Sequence, residues 1–196
     1  MPIHLAQVRM SLPMLLSLAE WSVFALYWSA AAKNSSPAKA AESRPSRRVH
    51  ELLVNLALLL VVFPFPGLPG LRFLPAALYV AWAGLGMQTA SALLGVWARR
   101  HLGPCWSGEI AIKVDHRLIR SGPYRFVRHP IYTAMLGMFA GAAMVSGQLH
   151  AALGLAMVAF AYWRKIRLEE ANLCQAFGPA YDAYRRATGS LVPRLL

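Results

Sequence analysis

Residues 130–163 read PIYTAMLGMFAGAAMVSGQLHAALGLAMVAFAYW. Two apolar runs, 130–146 and 149–163, are parted only by Gly147-Gln148, the pattern of a tight helical hairpin. Pro130 sits where a helix tolerates proline, at its first position. Each arm falls a little short of the roughly 20 residues that cross a bilayer. Upstream lie three more apolar runs, at 10–32, 49–63 and 73–98. A polar loop with two prolines, 33–48, follows the first. The second ends at PFPGLPG (64–70), because proline and glycine break helices. A long polar segment, 99–128, precedes the hairpin, and a basic amphipathic tail, 164–196, follows it. The expectation is an all-α, polytopic membrane bundle: about five transmembrane helices, a C-terminal hairpin and a cytoplasmic amphipathic tail.

Composition points the same way. Of 196 residues, 57% are hydrophobic and 14% charged, against about 25% charged in soluble domains. Mean hydropathy is +0.42. This excludes a disordered chain. It disfavours a soluble globule, whose surface cannot hide so much apolar area. Cys105 and Cys174 form no metal or disulfide signature. The C-terminal sequence is not a prenylation signal. The first apolar run continues well past Arg9 without a clean cleavage site, and is expected to remain as a helix.

Net charge is +12. The basic residues fall in the gaps between apolar runs, not on one face, so nucleic-acid binding is not expected. Eighteen of the twenty Lys and Arg lie in 33–48, 99–128 and the tail; Arg9 and Arg72 are the others. Five spans put all eighteen on one side. By the positive-inside rule the N-terminus is outside and the C-terminus cytoplasmic.

The stretch richest in chemistry is His116–Tyr132, HRLIRSGPYRFVRHPIY. His129 precedes a helix N-terminus, where free N–H groups and the helix dipole favour an anion. The segment reads either as a corner that holds the carboxylate of an amino-acid-like cofactor, or as a solvated basic loop with interfacial tyrosines. A second stretch, Arg164-Lys165-Ile166-Arg167-Leu168-Glu169-Glu170, pairs Lys165 with Glu169 and Arg167 with Glu170 on a helix. It reads either as a grip on a polar substrate group or as ordinary surface ion pairs. Phe177, Tyr181 and Tyr184 share one helical face.

GPYRFVRHPIY, followed some forty residues later by EEANLCQAFGPAYDAY and then LVPR, resembles the isoprenylcysteine carboxyl methyltransferase family, related to the membrane phospholipid methyltransferases. The likeness is strong over about 97–194, and Tyr27-Trp28 also looks like bacterial members. The resemblance implies a membrane enzyme with its active site on the cytoplasmic side, in a bacterial inner membrane, using S-adenosylmethionine on a small hydrophobic or lipidic acceptor. It implies one domain, 1–196, with three N-terminal spans (1–98) and a cofactor-binding, catalytic core (99–196). The implied cofactor residues are His116, Leu118, Ile119, Tyr124, Arg128, His129, Pro130, Ile131 and Tyr132. The implied catalytic cluster is Lys165, Arg167, Glu169 and Glu170. Ala134 departs from the pattern, which has glycine there. Pro104-Cys105 departs where bacterial relatives often carry a basic residue and Asn.

The residues alone leave the acceptor open. A carboxylate is already ionised at pH 7 and needs only a cation, Lys165 or Arg167. An amine or thiol would need a base, Glu169 or Glu170. A nicotinamide-dependent membrane reductase and a non-catalytic membrane protein also remain open. No metal site is expected, since His116 and His129 have no third ligand at suitable spacing, and no obligate protein partner is inferred. Glu20 lies inside the first span, as a functional carboxylate or one bonded to another helix. Asn55 and Gln88 are expected to bond between helices. The Gly137–Gly141 pair is expected to pack within the hairpin.

Overall fold

A computed structural model describes residues 10–33, 38–41, 43–63, 71–106, 111–113 and 118–194. Six helices follow in order: α1 (Leu12–Ala32), α2 (Arg44–Val62), α3 (Leu78–Leu102), α4 (Pro130–Ser146), α5 (Leu149–Phe177) and α6 (Pro179–Ala187). The five apolar runs each fall in one of the first five helices, with shifted ends. α2 begins inside the expected polar loop, where Arg47 and Glu51 pair at 2.7 Å one turn apart. α3 starts five residues late because Pro75 keeps the residue before it out of helical geometry, and it runs on to Gly103.

The tail is the larger correction. Its first part is no separate amphipathic segment, since α5 continues unbroken through the charged stretch to Phe177. The polar loops are not wholly irregular either. β1 (Ala38–Ala41) pairs antiparallel with β2 (Ala111–Lys113), giving backbone groups in two extended segments a partner.

Three links show which connections share an end of the bundle. The β1–β2 ribbon joins the first loop to the long one. Val127 pairs with Gly189, joining the long loop to the tail. At the other end Arg72 pairs with Gln148, and the Leu149 amide donates to the Leu71 carbonyl at 2.8 Å. The three strongly basic segments therefore gather at one end, as the charge pattern required.

α4 is the hub and touches α1, α2, α3 and α5. Its seam with α3 is built from small residues. A Cβ on Gly141 would lie 2.5 Å from the Gly84 carbonyl oxygen, and one on Gly84 would lie 2.6 Å from the Gly141 oxygen. Next along, Gly137 meets Ser91, and Ala134 meets Gly95. The Gly137–Gly141 pair thus packs against α3, not across the hairpin. The alanine at 134 is accommodated because glycine stands opposite it on α3.

Polar groups inside the bundle bond between helices. Ser17 donates to Gln88 Oε1 (2.7 Å), and Gln88 Nε2 returns a bond to the Ser17 carbonyl (2.9 Å). Thr89 donates to Glu20, the helix-bonded alternative for that carboxylate. Asn55 lies exposed on α2, with no such bond among the described residues. Trp21 packs edge-on against Phe139 at 5.0 Å, beside a core of Ala57, Val61, Ala142, Ala143, Ala151 and Val158.

The outside is apolar. Leu26 is 73% exposed and Leu93 67%. Each such side chain costs about 1.5–3 kcal/mol if left in water, so lipid is the matching solvent. On length and composition, α1 alone among the described helices passes as a bilayer span, and α4 is an apolar helix somewhat shorter.

The α3–α4 seam yields a test. Gly141→Ala should destabilise the protein by about 1–3 kcal/mol, because backbone must move to admit the methyl. Gly86→Ala, with open space around it, should be neutral or stabilising by up to about 1 kcal/mol. Unfolding in detergent micelles, compared between the two variants, reads the difference.

Candidate active site

The loop entering α4 is clamped from both sides. Gly122 has φ +58° and begins a tight 3-10 turn, Gly122–Arg125. Glycine is required there twice over: φ is positive, and a Cβ would strike the His101 ring at 2.7 Å. His101 bonds Ser121 Oγ at 2.9 Å and stacks over Tyr124. On the other side the Tyr184 hydroxyl donates to the Tyr124 carbonyl at 2.5 Å. Burial pushes the Tyr184 hydroxyl up to about 12, which keeps it a donor. Burial likewise pushes the Tyr124 phenol well up.

The tail then lies along the start of α4. Arg128 N–H donates to the Gly189 carbonyl (2.9 Å), His129 N–H to Ser190 (3.1 Å), and Thr133 Oγ1 to Leu191 (2.7 Å). The Arg128 guanidinium reaches the carbonyls of Arg185 and Thr188 at the end of α6. Its Nε donates to Glu170 Oε1 at 2.8 Å. Glu170 also meets His129 Nε2 at 3.3 Å and Arg185 Nε at 3.8 Å. Burial alone would raise the Glu170 carboxyl. Hydrogen bonds from His129 and Arg128 outweigh it and hold the group at about 2.

Glu169 is differently placed. It accepts from the Tyr132 hydroxyl at 2.7 Å and lies 3.9 Å from His129 Nδ1. Its side chain is 31% exposed, against 15% for Glu170. Glu170 is thus committed as an internal counter-ion, and Glu169 is the carboxylate open to a ligand. Beside it, His129, Tyr132 and Tyr162 form a continuous stack, with centroids 5.4 and 5.0 Å apart.

The structure therefore brings together Tyr124, Arg128, His129, Pro130, Tyr132, Glu169 and Glu170. Pro130 is buried at the first position of α4, and Ile131 beside it is half-buried. Leu118 and Ile119 are half-buried in the strand of chain leading to the turn. His116 lies outside the described residues. Two of the expected catalytic cations sit elsewhere. Arg167 turns outward over the Trp163 ring at 5.7 Å. Lys165 is buried on the side of α5 that faces Glu51 of α2. The pairings Lys165–Glu169 and Arg167–Glu170 are not what forms, because each glutamate finds a partner on α4 or its approach loop instead.

Sequence reading missed Tyr162 and Arg185. Tyr162 was legible, since it stands seven positions before Glu169, a spacing that puts both on one helix face. Arg185 was not, since its approach to Glu170 needs the turn between α5 and α6.

These residues have the chemistry for a compact zwitterionic cation. An open carboxylate suits an ammonium group, aromatic faces suit a sulfonium, and the N-terminus of α4 suits a carboxylate. S-adenosylmethionine carries all three groups.

The apolar exterior, with a polar, aromatic-lined cluster at one end, is that of a helical membrane protein. Residues 84–175, just under half of the chain, match the model of the isoprenylcysteine carboxyl methyltransferase family. The Schizosaccharomyces pombe protein-S-isoprenylcysteine O-methyltransferase is 34% identical over 114 residues, 57% of this chain and 48% of that one. The Cupriavidus metallidurans cobalt-zinc-cadmium resistance protein CzcN is 31% identical over 149 residues, 75% of this chain and 63% of that one. The chain thus spans less than two thirds of the length of these curated relatives. The solved structure of the eukaryotic intramembrane Ras methyltransferase ICMT superposes with a TM-score of 0.63 at 20% identity. It covers 92% of this chain and 67% of its own. That likeness shows the fold.

Tail docking should depend on pH through Glu170. Its folded value of about 2 lies below the ordinary 4.5. Its charge therefore adds stability that is complete above about 4.5 and drains away as the pH falls towards about 2. Protection of the Arg128 and His129 amides from hydrogen exchange, relative to their intrinsic rates, should fall across that window. In Glu170→Gln the same amides should already exchange fast at neutral pH.

Proposed function

We propose that this chain transfers a methyl group from S-adenosylmethionine to the carboxylate of a lipid-tailed acceptor at the inner surface of a bacterial membrane. The observation that carries this reading is the joining of the 124–132 segment and Glu169–Glu170 of α5 in one hydrogen-bonded cluster. Two stretches far apart in the chain meet where one small molecule can touch both.

S-adenosylmethionine, when bound, supplies an electrophilic methyl on a sulfonium. The chain's own residues hold and shield it. Glu169 would hold the cationic amino group, and the α4 N-terminus behind His129 and Pro130 the anionic end. The His129–Tyr132–Tyr162 stack would favour the positive sulfonium and exclude water. Leu118, Ile119, Tyr124 and Ile131 complete the wall. A carboxylate acceptor arrives ionised at neutral pH, so no residue has to remove a proton. Lys165 adds positive potential on the α2 side. Alignment and desolvation then carry the displacement.

The acceptor enters from lipid and the donor from the cytosol. Five crossings place the N-terminus outside and the basic end, with the site, in the cytoplasm. The whole chain works as one unit, because α3 of the N-terminal half supplies both the seam for α4 and the His101 clamp.

Tyr132→Phe and Glu169→Gln should each weaken binding of S-adenosylhomocysteine about tenfold, near 1.4 kcal/mol. Arg167→Ala should keep its rate within about twofold, as its guanidinium sits over an exposed ring in a contact worth about 0.5–1 kcal/mol. Calorimetry and transfer of labelled methyl to farnesylcysteine read both. Saturable heat from a reduced nicotinamide, with none from the methyl-donor analogue, would reject the reading. A membrane-impermeant maleimide should reach Cys105 and Cys174 only from the cytoplasmic face.

A further inference from the structure

The segments that meet at the site end, 33–51, 99–128 and 164–194, hold eighteen of the twenty Lys and Arg but seven of the eight Asp and Glu. Of the four that lie among the described residues, three are paired with an arginine. Glu51 is paired with Arg47 at 2.7 Å, Asp182 with Arg185 at 3.9 Å, and Glu170 with Arg128 at 2.8 Å. Six exposed cations flank the site segments: Arg100, Arg120, Arg125, Arg167, Arg186 and Arg194. None lies within ion-pair distance of a carboxylate among the described residues. Two are held flat by neighbouring aromatics, Arg125 over Phe126 at 4.7 Å and Arg167 over Trp163 at 5.7 Å. Phe126 and Trp163 are themselves about half exposed.

We propose that this excess of positive charge beside the site selects the acceptor electrostatically. It admits a lipid-tailed carboxylic acid carried without a cationic flank, and it repels the same acid at the end of a polycationic peptide. The inference rests on the methyl-transfer reading and narrows its substrate class. A concentration of like charge beside a low-dielectric site builds a potential of several kT over the adjoining surface. An anionic headgroup is drawn in by it. A run of lysines adjoining the acceptor must sit inside the same field at close range, where screening acts least.

The test uses the full chain in phosphatidylcholine nanodiscs, so that the bilayer adds no net charge. Three ligands share one farnesylcysteine acid: the bare N-acetyl compound, a hexalysine peptide ending in it, and a hexaglutamate peptide ending in it. Binding above that of empty discs is read separately from methyl transfer. At low salt the hexalysine ligand should bind about tenfold more weakly than the bare acid, the hexaglutamate ligand at least as well, and the gap should close at high salt. Arg100→Glu with Arg186→Glu should narrow the gap and leave S-adenosylhomocysteine binding unchanged. Equal binding of the lysine and glutamate ligands at low salt overturns the charge rule, whatever the turnover. A gap in binding with no methyl transfer to any ligand upholds the charge rule and overturns the activity.

Discussion

The site depends on one buried charge cluster. Glu170, far along α5, is gripped by Arg128 and His129 at the start of α4 and approached by Arg185 from α6. A half-enclosed carboxylate without such partners would take up a proton or turn to solvent. With them it stays ionised and ties three segments together. Arg128 extends the tie by reaching the carbonyls that end α6, so the tail is stitched over the mouth of the hairpin. Removing any one member leaves the others with uncompensated charge in a poorly solvated place, which is costlier than never having built the pair.

That cluster divides the work between two adjacent glutamates. Neighbours on a helix point about 100° apart, so Glu169 and Glu170 meet different surroundings. Glu170 turns into the guanidinium and becomes scaffold. Glu169 turns towards Tyr132 and the aromatic stack, keeps more of its surface open, and remains available. The rigid part of this geometry comes from the α3–α4 seam. Small residues there let two backbones touch, which in lipid replaces the hydrophobic drive that water would provide. The close seam sets where the first turn of α4, and hence His129 and Tyr132, can stand.

Much of the fold was legible because a bilayer leaves few options. Backbone groups in hydrocarbon must bond within helices or closed barrels, so long apolar runs broken by Pro, Gly and charge mark helices plainly. The gathering of the basic loops at one end was legible too, since the basic residues fall in alternate connections between apolar runs. Where reading the residues went astray, the cause was a change of surroundings within one element. α5 leaves its apolar run at Trp163 but continues as helix to Phe177, because nothing in RKIRLEEANLCQ breaks a helix even though its hydropathy collapses. The Gly137–Gly141 motif announced close packing truthfully and could not name its partner, which is α3. The β1–β2 ribbon was invisible, as its strands are too short to show a period.

What the amino-acid order settled by itself was therefore the solvent, the helical elements, the hairpin and the shared end of the charged loops. Each follows from local hydropathy and backbone rules that need no distant contact. What only the folded chain decided was who pairs with whom. Glu170 chose Arg128 over Arg167, Tyr162 joined the stack, and Arg185 came in from another helix. Those choices are set by which faces of α4, α5 and α6 are pressed together, and electrostatic and hydrogen-bond energies fall off too steeply with distance and angle for spacing along the chain to foretell them.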